Sequence, residues 1–124
     1  MSIEEFFSHE LNEWTRNIDF YFADLTILQE RLNEVANKNT KEPVMANVEH
    51  FQNQFIVQKD NLQIIKHKIN VQKDSLEAEV KKIVSLADLD IVDTQHFLRE
   101  SIQLNEKIFL ELKHGFYRFL AKVF

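Results

Sequence analysis

The sequence predicts an all-α protein, an elongated antiparallel up-down-up three-helix bundle with coiled-coil-like heptad packing. Three observations carry this prediction. Three long stretches repeat apolar residues at alternating spacings of three and four, which keeps one seam of each helix against a partner. A single Gly and a single Pro in 124 residues leave room for few turns, so the elements must be long. The breaks between the stretches are short, and short connections make neighbouring helices antiparallel.

The first helix is expected over 3–37. Ser2 can cap it, Glu5 can reach back as in a capping box, and Glu4 adds negative charge at the positive helix end. Its seam is Phe7, Leu11, Trp14, Ile18, Tyr21, Leu25, Leu28, Leu32 and Val35. Asn37-Lys38-Asn39-Thr40-Lys41-Glu42-Pro43 is the most turn-like stretch, and Pro43 suits the first turn of a following helix, where its missing N–H costs nothing.

The second helix is expected over 42–87, because nothing breaks the pattern between Pro43 and Asp88-Leu89-Asp90. Val48, Phe55, Leu62, Ile69, Leu76 and Ile83 repeat every seven residues, accompanied by Phe51, Gln58, Ile65, Gln72, Glu79 and Leu86. The third helix is expected over 90–123, capped by Asp88 or Asp90 with Asp93 in its first turn. Its seam is Ile91, Leu98, Ile102, Asn105, Phe109, Leu112, Phe116, Phe119 and Val123. The helices should each be roughly 50–60 Å long. This outline is similar to that of a spectrin-type repeat, which also buries a Trp in its first helix; the likeness stops at the outline.

The chain reads as one domain over 1–124, long enough to build a core without disulfides or metals. With no Cys there is no thiol nucleophile or zinc knuckle. The N-terminal residues lack a basic region followed by an apolar core, and no apolar run approaches the ~20 residues needed to span a bilayer. A cytoplasmic location is the expectation. The net charge of −5 argues against nucleic acid as a partner. Residues 1–37 hold eight acids and two bases, whereas 38–87 hold six acids and eight bases, which favours pairing of the first two helices.

Enzyme chemistry finds little to use. Gly115 is the only glycine, so there is no phosphate loop, and the serines belong to no nucleophile motif. Glu111 and His114 have the Glu-x-x-His spacing of carboxylate-bridged di-iron bundles, but that chemistry needs two such motifs. The pairs His9/Glu13 and His96/Glu100 are better read as surface hydrogen-bonded pairs. No catalytic residue, metal ligand or cofactor is expected. In the seams, Gln58, Gln72 and Asn105 interrupt the apolar series; folding the hairpin about residue 88 brings Gln72 level with Asn105, an amide layer that would fix register.

The most suggestive feature lies outside the seams. With Trp14, Phe51 and Leu98 at heptad position d, the c positions hold Phe6, Phe20 and Ile27, then Val57, Ile64, Val71 and Ala78, then Phe97 and Leu104. Position c points about 130° away from the a/d seam. These residues either widen the core or form a second face for association. The favoured reading is a homodimer, with Phe20, Ile27, Val57, Ile64, Val71 and Leu104 in the interface and Tyr117 and Phe124 as lesser candidates. Another protein is a possible partner. Two other classes are kept: a small-molecule or metal-binding bundle with a cavity at Gln72, Asn105 or the histidines, and a peripheral membrane protein. The latter would use the aromatic, basic end from Lys113 to Phe124.

Overall fold

The computed structural model describes residues 1–38, 41–81 and 89–124. It contains α1 (Ile3–Lys38), α2 (Glu42–Val80) and α3 (Leu89–Val123). At 36, 39 and 35 residues, they span roughly 50–60 Å each. Cross-helix contacts set the topology. Asp19 of α1 meets Lys66 of α2, and Gln72 of α2 meets Gln95 of α3, both antiparallel. Glu10 and Asp24 of α1 meet Arg99 and Lys113 of α3 in ascending order, so these two helices run parallel.

Ser2 caps α1 as expected. The Glu5 N–H donates to Ser2 Oγ at 3.1 Å, and Pro43 occupies the first turn of α2. Asp90 lies not ahead of α3 but inside its first turn, where its negative charge complements the positive helix end. Asn39, Thr40, Ile83, Leu86 and Asp88 lie outside the described residues, as does the 82–87 part of the expected second helix.

All nine α1 seam residues are buried, and so are the α2 seam residues from Val48 to Glu79. In α3, Leu112 and Val123 are only half-buried, packed against the edge of the core. The aromatic C-terminal residues largely belong to the core. Phe116 packs against Phe51 and Phe55 at ring-centre distances of 5.3 and 5.2 Å, and Phe119 against Phe51 at 5.3 Å. These are the separations that edge-on and tilted aromatic pairs favour.

One expected pairing is corrected. Gln72 does not meet Asn105. Its amide donates to Gln95 Oε1 at 3.1 Å and to the Ile91 carbonyl at 2.9 Å, while Gln58 donates to Asn105 Oδ1 at 3.0 Å. The physical reason is the earlier end of α2: with Val80 rather than residue 87 as its last residue, the hairpin folds sooner and the register shifts. Gln95 is fully buried, an occupant of the α3 seam that the apolar series passed over between Ile91 and Leu98.

Gly115 is inside α3 with no positive φ, and the nearest atom to an added Cβ would be Arg118 Nη2 at 3.7 Å. It serves no close helix approach. Gly115→Ala is therefore expected to stabilise the protein by ~1 kcal/mol, raising the melting temperature by a few degrees. An unchanged or lowered Tm would mean that the glycine is used for something else.

Candidate association surface

Which heptad positions meet across each groove decides where the c residues go. Between α1 and α2 the contacts run through positions b and e: Lys66 reaches Asp19 at 2.6 Å, and Lys73 donates to Thr15 Oγ1 at 2.9 Å. Between α1 and α3 they run g to e, with Arg99 Nε donating to Glu10 Oε2 at 2.9 Å and Lys113 to Asp24 Oδ2 at 2.6 Å. Position g of α2 and of α3 is thus left for the α2/α3 groove. Position c lies beside g on a helix surface, so the c residues of α2 and α3 flank one groove together. Those of α1 flank another, facing the b residues of α3 across it.

The expected single stripe is therefore two faces. Over the α2/α3 groove stand Val57, Ile64, Val71, Phe97 and Leu104, which are 53%, 53%, 50%, 55% and 60% exposed, together with exposed Ile108. Over the α1/α3 groove stand Phe20 and Ile27 with Leu110, Tyr117 and Phe124, also exposed. None of the eight predicted surface residues is drawn into the core of the single chain, so the widened-core alternative does not hold. Ile108 and Leu110 were not singled out from the sequence; position g and position b residues reveal themselves only once the neighbours of α3 are known.

The two faces differ in chemistry. On the α1/α3 face the aromatic rings already have cationic partners: Lys113 Nζ is 5.7 Å from the centre of Tyr117 and Lys38 Nζ is 5.8 Å from that of Phe124. Phe20 packs edge-on to Tyr21 at 6.0 Å. On the α2/α3 face only Phe97 is so covered, by Lys68 at 5.5 Å, and the aliphatic side chains stand open. Below them an open groove of about 610 Å³ runs past Val57, Gln58, Ile108 and Gly115.

Beneath these faces runs a polar relay that ties all three helices. Gln72 donates to Gln95; Gln95 donates to the Phe7 carbonyl and to Glu10 Oε1, both at 3.2 Å; and Arg99 grips Glu10 from above with its guanidinium 6.0 Å from the Trp14 ring. Burial alone would raise the Glu10 carboxyl, but the hydrogen bonds from Arg99 and Gln95 and the Arg99 charge hold it below its ordinary value of 4.5. The Tyr21 hydroxyl is pushed up, first by burial and then by its hydrogen bond with Glu106 and that carboxylate's charge. The Lys113 ammonium is raised by its hydrogen bond to Asp24, against burial. No buried side-chain nitrogen or oxygen among the described residues lacks a partner.

For the ligand alternatives the geometry offers less. Gln72 and Asn105 are engaged with other amides, and neither lines the α2/α3 groove or a second one of about 630 Å³ between Ser2, Leu11, Lys73 and Leu76. Glu111, His114 and the other four histidines are on the exposed surface, where His50 and Glu111 line the open α2/α3 groove and His96 pairs with Glu100 at 3.2 Å. Among the described residues no three His, Cys, Asp or Glu side chains form a group that could hold a metal ion, and no helix is long and apolar enough to cross a membrane.

These features define an all-α, three-helix bundle carrying exposed apolar faces. Comparison with protein-family models, with curated proteins and with solved structures gives no match.

Proposed function

We propose that this chain is a non-enzymatic, cytoplasmic helical-bundle protein that works through protein–protein association, first of all with a second copy of itself. The observation that carries the reading is the α2/α3 face, where Val57, Ile64, Val71, Phe97 and Leu104 stand half or more exposed along one groove. Apolar surface costs about 25 cal/mol per Å² to keep in water, and contiguous patches of this kind mark association sites. The core does not need these residues, since the a and d positions already fill it.

Light scattering on a sizing column, across a range of concentrations, tests the reading. The expected mass is near twice 14.8 kDa. Val57→Glu combined with Val71→Glu places charge on the face without touching the core, so the variant is expected to keep its helical signal and run at 14.8 kDa. A wild-type monomer at every concentration, or a double variant whose mass does not change, would overturn self-association through this face.

A further inference from the structure

Resting on the self-association reading, we infer that a second copy docks on the α2/α3 face with its two-fold axis parallel to the helices, so that α2 of each copy packs antiparallel against α3 of the other. The argument comes from register and charge. A two-fold axis along the bundle cannot slide one copy past the other, so the levels between copies must equal those within one chain. Within the chain Gln72 stands opposite Gln95 and Phe51 opposite Phe116.

That register, carried across to a second copy, sets Ile64 beside Leu104 and Val71 beside Phe97, matching these four exposed apolar residues with one another, while Val57 falls beside Glu111 at one end. It also sets the exposed flanking positions in order: Asp60 falls level with Lys107, and His67 with Glu100. Symmetry makes each of these pairs twice. Sliding by one heptad would instead put Asp60 against Glu100 and Val71 against Asp90, bringing like charges together and placing a carboxylate against the apolar series.

The alternative two-fold, perpendicular to the helices, stacks α3 on α3 and α2 on α2. Centred to bring Phe97 against Leu104 it sets Asp93 beside Ile108, and centred on Leu104 it sets Phe97 beside Glu111. The parallel axis keeps Phe97 and Leu104 both against apolar side chains. Its unfavourable meetings lie towards the ends of the face, Val57 with Glu111, Ala78 with Asp90 and Asp74 with Asp93, and Asp74→Lys is expected to tighten the pair.

Because the chain has no cysteine, single introduced thiols report on the geometry without background. Ile64→Cys and Leu104→Cys proteins, unfolded together, refolded and mildly oxidised, are expected to form a mixed disulfide dimer, with neither forming one alone. Val71→Cys with Phe97→Cys should behave alike. In parallel, Asp60→Lys is expected to weaken the dimer roughly tenfold, and adding Lys107→Asp in the same chain to restore it. Disulfides joining identical positions in a protein of dimeric mass would overturn this arrangement while leaving self-association standing. A monomeric mass for the unmodified chain would overturn both.

Discussion

Phe116→Ala is expected to cost ~3–5 kcal/mol, the largest effect of any single truncation considered. The ring is fully buried and stands between Phe51 and Phe55 of α2, with Phe119 one turn away on its own helix. Removing it deletes the transfer energy of the ring and leaves a cavity that stiff aromatic neighbours are poorly placed to fill. For a domain whose total stability is of order 5–15 kcal/mol, such a loss brings unfolding close to ambient temperature. Thermal and urea melts at one protein concentration read the effect, since association would itself make the midpoint concentration-dependent. Phe124→Ala is the control. That ring is 65% exposed, and its loss should stay within about 0.5 kcal/mol. Equal losses at the two positions would mean that Phe116 is not the centre of the aromatic layer.

Arg99→Met is expected to destabilise by ~2–3 kcal/mol near neutral pH. The hydrocarbon part of the side chain can still cover Trp14, but the Glu10 carboxylate is left with Gln95 alone in a site where its side chain is 17% exposed. The pH dependence makes the cause visible. In the native chain the folded Glu10 carboxyl titrates below 4.5, so its contribution is complete above that pH and is lost as the pH falls through the lowered value. Without Arg99, burial dominates and the carboxyl is expected to titrate above 4.5, so acidification relieves the variant while it weakens the parent. The stability gap between the two should therefore narrow steadily from pH 6 to pH 3. A gap that stays constant over that range would mean that Arg99 matters through packing and not through Glu10.

The seams were legible because burial leaves a signal in hydropathy. Every apolar residue placed at an a or d position of α1 is buried, and the first two helix starts followed from Ser2 and Pro43. Gln95 was not legible for the opposite reason: an amide at a seam position looks like surface until a partner such as Gln72 is known. The level at which α2 turns back was hidden too. No glycine or proline marks it, and an error of a few residues there doubles in the register, which is how Gln72 came to be set against Asn105. The c positions could be recognised as surplus to the core from spacing alone. Their division into two faces could not, because it depends on which side of α1 the third helix lies. Lys113–Asp24 and Lys66–Asp19 record that choice, and local periodicity does not.

The amide layers also settle a degeneracy that hydrophobicity leaves open. In a heptad sequence, moving one helix by seven residues returns oil onto oil, and a purely apolar hairpin would have several alignments of nearly equal energy. Here the polar rungs are unevenly spaced: Gln58 and Gln72 are fourteen residues apart on α2, while their partners Asn105 and Gln95 are ten apart on α3. Side-chain reach absorbs that mismatch in one alignment. In any shifted one, at least one amide is stranded against hydrocarbon. The two helices behave as a vernier, whose unequal gradations coincide at a single setting, and the folded chain is the place where they do.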